Sequence, residues 1–174
     1  MKKIVFAIMF AAMLMISSAT NYCLANLPDD EFALGGIPVG SSVDYLKRVY
    51  GEPSQVIQIN DPLHRGVARR YIYGEGLFFE TSDNTIIRIC VYTNNKIKTP
   101  LGVGVGDAAY RALETYGNPD DKIRPNVSWV DKQYYDTIIY DSNKRNGKAM
   151  KILLQKVNGP EKARVREIQV AFFD

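Results

Sequence analysis

A short phrase occurs twice in this chain, 66 residues apart, and it constrains the fold more than any other feature. Gly36-Ile37-Pro38-Val39-Gly40-Ser41 is echoed by Gly102-Val103-Gly104-Val105-Gly106-Asp107. Further on, Tyr50-Gly51-Glu52-Pro53 is echoed by Tyr116-Gly117-Asn118-Pro119 at the same spacing. Self-similarity at a fixed period points to one supersecondary unit used twice. The segments between and after the echoes should therefore correspond as well.

Within each unit the first segment reads as a short helix. Ser41 is a good N-cap, and Asp44, three residues on, suits both the cap and the helix dipole. Val43, Leu46, Val49 and Tyr50 fall on one helical face. Gly51 supplies a left-handed C-terminal residue, and Pro53 forbids continuation. In the second unit Asp107 takes the cap, Ala109, Ala112, Leu113 and Tyr116 make the stripe, and Gly117 and Pro119 end it. Helices of about ten residues are marginal alone in water, so each must pack on something.

The packing partner is a meander of strands. In the first unit Arg70 to Tyr73, Leu77 to Thr81 and Thr85 to Thr93 are β-rich, with Val56 to Ile59 as a possible first strand. Gly74-Glu75-Gly76 and Ser82-Asp83-Asn84 mark the turns. In the second unit the runs are Tyr134 to Tyr140, Met150 to Val157 and Arg166 to Phe173. Its hairpin tip, Asp141 to Lys148, is longer, polar and basic. The expected class is α+β: two tandem repeats, each a short helix followed by an antiparallel β-meander, with the helices on one face of the sheet. The expected units are residues 26–98 and 99–174, preceded by a leader at 1–25.

That leader reads as a signal peptide. Lys2 and Lys3 precede a 13-residue apolar run, Ile4 to Ile16, too short to span a bilayer comfortably. A small-x-small pattern ends at Ala25, with a second candidate cut at Ser17-Ser18-Ala19. Acylation of Cys23 is the lesser alternative, because Asn21-Tyr22 fits a lipoprotein signal poorly. The remaining chain holds no second long apolar run and is expected to be exported, periplasmic or secreted, and not to span a membrane. Removing the leader takes 22 basic residues to 20 against 19 acidic ones, so the formal charge falls from +3 to +1. Such a balance gives no footing for nucleic acid. Cys90 is then the lone cysteine, so burial and not a disulfide must hold the fold.

Period-two alternation sorts the last strand of each unit. Ile87, Ile89 and Val91 are expected under the helix, as are Ile168, Val170 and Phe172. The opposite face is expected to be open, carrying Arg88, Tyr92, Glu167, Gln169 and Phe173. Aromatic, charged and amide groups together suit protein recognition. With Lys144, Arg145 and Lys148 of the basic hairpin, these are the candidate partner-binding residues.

The Gly-[Ile/Val]-x-Val-Gly-Ser/Asp phrase, the short helix, Tyr-Gly-x-Pro and the meander together resemble the β-lactamase-inhibitor-protein-like fold. That group includes small outer-membrane lipoprotein modules of the SmpA/OmlA type. The motifs cover Gly36 to Pro53 and Gly102 to Pro119. The resemblance implies helices backing a sheet whose other face and loops bind proteins. Inhibitors of this group usually carry a disulfide in each repeat, and this chain has none, so inhibition itself is not carried over.

Other chemistry finds less support. Gly102-Val103-Gly104-Val105-Gly106 imitates a phosphate loop, but a dinucleotide site needs a preceding strand and an acidic residue about twenty positions on. The first unit places Pro38 in the middle of the same phrase, so the shared task is a turn. His64 is the lone histidine and reads as a loop residue. No cofactor or metal site is expected, and Asp29-Asp30-Glu31 reads as a solvated acidic tail. Cys90, matched by Ala171, reads as a small residue packed in the sheet. Tyr50 and Tyr116 read as structural. The function expected is a non-catalytic binding module for an envelope or secreted protein. The alternative is a binder of an anionic envelope polymer, peptidoglycan or glycan, through Arg65, Arg69 and Arg70 with Lys144, Arg145 and Lys148. A hydrolase lacks a recognisable nucleophile, base and orienting group.

Overall fold

The structure is a computed structural model and describes residues 27–60, 68–119, 121–142, 147–156 and 162–172. The leader, His64, Arg65, Lys144, Arg145 and Phe173 lie outside the described residues. The chain opens with a 3-10 turn at Asp29–Glu31 and a small ribbon of β1 (Ala33–Leu34) and β2 (Ile37–Pro38). Helix α1 (Val43–Tyr50) follows, then β3 (Gln55–Ile59), β4 (Ala68–Ile72), β5 (Leu77–Ser82) and β6 (Thr85–Val91). Helix α2 (Ala109–Tyr116) precedes β7 (Asp121–Val127), β8 (Tyr134–Asp141), β9 (Lys148–Gln155) and β10 (Arg164–Phe172). The architecture is α+β, mostly one antiparallel sheet of eight strands in the order β3-β4-β5-β6-β10-β9-β8-β7. Two four-strand meanders thus join where β6 pairs with β10, Ile168 opposite Val91 and Val170 opposite Ile89.

The helix ends follow the sequence, with the caps shifted. Ser42, not Ser41, is the N-cap of α1, and its hydroxyl accepts from the Tyr45 N–H at 3.2 Å. Ser41 instead gives its carbonyl to the Ile86 N–H at 2.8 Å, tying the turn to β6. Asp107 does not cap α2 either. Its carboxylate accepts from the Gly104 N–H at 2.9 Å and closes the glycine-rich turn, while Ala108 occupies the cap position without a side-chain bond. Both helices stop on a positive-φ glycine: Gly51 and Gly117, at 77° and 75°, each donate to the carbonyl four residues back.

A continuous core lies between the helices and one face of the sheet. It unites Leu46 of α1 and Ala112 and Tyr116 of α2 with Phe79, Ile89, Val91, Tyr140, Ile152, Ile168 and Val170. Phe32, Leu34 and Ile37 of the leading ribbon join it, all without solvent exposure. Val49 was expected on the buried stripe but is 50% exposed; the buried residues of α1 are Val43 and Leu46. In β6 a register shift opposite Glu80 and Thr81 puts Ile86, not Ile87, into the core cluster. The two punctuating tyrosines are structural: Tyr50 donates to the Gly35 carbonyl at 2.9 Å and Tyr116 to Glu31 at 3.3 Å. A Cβ on Gly35 would stand 2.1 Å from that Tyr50 hydroxyl, and φ is +57° there, so glycine is required. Glu31 is therefore buried and not part of a solvated tail, and burial pushes its pKa up.

Candidate functional site

The face turned away from the helices is not open at its centre. Glu167 and Gln169 of β10 do share that face with Arg88 and Cys90 of β6, as alternation requires. Their burial overturns the expectation of exposure: Glu167 is 1% and Gln169 0% exposed. The cover is the connection between β7 and β8, residues 128–133, which folds back over them.

Glu167 organises that connection. One carboxylate oxygen accepts from the Trp129 N–H at 2.9 Å, the Gln169 amide at 2.7 Å and the Cys90 thiol at 3.3 Å. The other accepts from the Ser128 hydroxyl. The Ser128 oxygen in turn accepts from the N–H groups of Val130 and Asp131, at 3.1 and 3.3 Å. Gln169 also donates to the Val127 carbonyl at 3.2 Å. A buried carboxylate is tolerable only with several donors, and here it meets them from both sheet and loop.

Arginines complete the support. Arg166, the unpaired residue of a register shift in β10, reaches Asp131 and lies 4.7 Å from the Tyr135 ring centre. The Gln133 N–H and the Tyr135 hydroxyl also bond Asp131, at 3.0 and 2.8 Å. The Gln133 N–H first, then Tyr135, Arg166 and Ser128, hold the Asp131 carboxyl well below its usual range. Arg88 stacks 5.3 Å from the Trp129 ring centre and bonds Glu80 at 3.2 Å. Glu80 is shared with Arg70, whose Nε lies at 3.0 Å and whose guanidinium stands 4.1 Å from the Phe78 ring centre.

What this scaffold presents is apolar and aromatic. Val130 is 41% and Tyr134 72% exposed, with Trp129 and Tyr135 half-buried beside them. Tyr134 leads into a shallow depression shared with Tyr135, Asp136, Leu154 and Lys156. Beyond it lies a groove of about 240 Å³ between α2 and the sheet, floored by Leu113, Ile138 and Leu154. Tyr110, 62% exposed, flanks the groove, and Asp136 pairs with Lys156 at 2.6 Å on its rim.

The predicted residues thus divide. Arg88, Glu167 and Gln169 come together beneath the loop. Tyr92 lies beyond β6, half-buried and 6.2 Å from Phe78 between ring centres. Lys148 stands apart at the start of β9, bonded to Asp29 at 3.0 Å and facing the Phe172 ring. Ser128, Trp129, Asp131 and Tyr134 escaped the sequence reading. The available signal was Trp129, the chain's single tryptophan, close before Tyr134-Tyr135 in a segment with no apolar periodicity.

Comparison with known proteins places the fold only. No protein-family model matches the chain, and no curated protein matches it in sequence. An extracellular protein containing an SCP domain, from Bacillus anthracis, superimposes with a TM-score of 0.51 at 8% identity over 76% of this chain. A cysteine-rich secretory protein from Staphylococcus aureus gives 0.48 at 13% identity, also over 76%. This chain spans 43% and 44% of those two proteins' lengths. A candidate β-lactamase inhibitor protein from Streptococcus mutans gives 0.32 at 14% identity, over 75% of this chain and 82% of its own. The first of these likenesses supports a shared arrangement of sheet and helices. Among the described residues no helix is long and apolar enough to cross a membrane.

Proposed function

We propose that this is an exported, non-catalytic protein-binding module, built from two copies of a helix-plus-meander unit, that engages its partner through the β7–β8 loop. The observation that carries the reading is the pinning of residues 128–133 by buried Glu167 while Val130 and Tyr134 remain exposed. A loop held in one conformation loses little entropy on binding, and aromatic anchors supply most of the energy of protein interfaces. The expected partner offers an apolar-centred surface. Export rests on the signal-like leader, and duplication on the echoed phrases and on the mirrored order of the two meanders. The polymer alternative is less favoured, because Arg70 and Lys148 already bond Glu80 and Asp29.

The test is capture from the producing organism's envelope and medium, with the wild-type chain and a Val130→Asp plus Tyr134→Ala variant as paired baits. A protein retained by the first bait alone, and binding the purified wild-type chain in calorimetry at least tenfold more tightly than the variant, is the expected result. Equal retention of every protein by both baits counts against this loop.

A further inference from the structure

The eight-stranded sheet ends in two outer strands, and they are finished differently. β7 carries Pro125, charges at Asp121, Lys122 and Arg124, and a register shift between Asp121 and Arg124. Proline, charge and irregular pairing are the devices that keep an edge from pairing with another chain. β3 has none of them. Gln55-Val56-Ile57-Gln58-Ile59 contains no proline, glycine or charge, and it pairs with β4 over all five residues without a shift. Among the described residues β4 is its only strand neighbour. Val56 is 46% exposed, and Ile57 and Ile59 are half-buried at the margin.

We propose that β3 is a self-pairing edge: two copies of this chain join β3 to β3 in antiparallel fashion about a two-fold axis at Ile57. The strand is suited to itself. In that register Gln55 faces the partner's Ile59, Val56 faces the partner's Gln58, and Ile57 faces the partner's Ile57. All five residues pair, and no like charges meet, because the strand carries none. A symmetric contact of this kind closes after two copies. Arg70, next to Ile57 across β4, is already bonded to Glu80, and the one exposed cation of β4, Arg69, stands opposite Gln58, a strand in from the edge. Five-residue pairing buries less than the roughly 800 Å² per partner of a standard interface, so the dimer is concentration-dependent.

The experiment uses the chain expressed with its own leader and purified as the cell processes it. Sedimentation from low micromolar to near-millimolar concentration should show the mass rising from one chain to two. Ile57→Lys sets two ammonium groups opposite each other at the axis and should weaken association about tenfold or more. Ile57→Cys should crosslink under mild oxidation, since directly opposed Cα atoms lie within about 5.5 Å. Gln55→Cys should not, its two copies being displaced ~13 Å along the strands. Cys90 does not compete, being fully buried. A mass that stays at one chain throughout, or equal crosslinking of the two cysteine variants, overturns the proposal. Should Ile57→Lys fail to fold, the cysteine pair still decides. Neither outcome bears on the β7–β8 loop, which is held by β6 and β10 and not by β3.

Discussion

Asp131 concentrates the chemistry of the loop in one side chain. It accepts from the Gln133 N–H, from Tyr135 and from Arg166, all of which favour its charged form. Its carboxyl is therefore depressed below the ordinary 3.8. The sign follows by linkage. A carboxyl depressed in the folded state adds stability that is complete above 3.8 and disappears as pH falls from there toward the lower folded value. Loop order should accordingly hold at neutral and mildly acidic pH and give way only in strong acid. Trp129, the single tryptophan, reports it directly: its emission should shift in that acid window in the wild-type chain. In Asp131→Asn the emission should already be shifted at pH 7 and show no acid step. An unchanged emission in Asp131→Asn would mean that the carboxylate does not hold the loop. The same neighbourhood shows what alternation can and cannot tell. The parity of β6 and β10 places Arg88, Glu167 and Gln169 together correctly. Whether their face meets water depends on the path of a loop about 40 residues away in sequence, and no local pattern encodes that.

At the scale of elements, the helices and seven of the sheet's eight strands were legible because each has its own punctuation and period. β7 was not, for a physical reason. Its Asp-Lys-Ile-Arg-Pro-Asn-Val sequence has charges and a proline where an inner strand would alternate apolar residues, and only an edge position tolerates that. The caps slipped by one residue at both helices, since Ser41 and Asp107 are chemically apt but are used to tie turns. This leaves α2 with a defect that can be repaired. Ala108 has the extended backbone of a cap, φ −66° and ψ 140°, and lacks only a side-chain acceptor, whereas α1 has Ser42. Ala108→Ser should stabilise the chain by about 0.5–1 kcal/mol, the usual worth of an N-cap hydroxyl. Urea unfolding with an unchanged slope measures it. A loss of stability would show that Ala108 is held by packing and not open to a cap.

At the scale of the whole molecule, the boundary near residue 98 separates two meanders in sequence but not two cores. β6 and β10 are the inner strands of the eight, and Ile89, Cys90, Val91, Ile168, Gln169, Val170 and Ala171 are all fully buried. Cutting between Lys98 and Thr99 would turn both strands into long exposed edges with apolar residues on each side, the arrangement most prone to misassociation. The cluster that unites Leu46 of α1 with Ala112 of α2 would also be split. Neither helix-plus-meander half is therefore an autonomous one. The intact chain should unfold in a single cooperative transition, with tryptophan emission and far-ultraviolet dichroism coincident. Residues 26–98 and 99–174 expressed apart should lack stable structure, yet recover the native Trp129 emission when mixed, because β6 and β10 supply each other's missing neighbour. Two halves that fold alone and ignore each other would show that the β6–β10 seam merely adjoins two finished domains. Recovery only on mixing would place the stability of the molecule in that seam, and with it the rigidity on which the Glu167 loop depends.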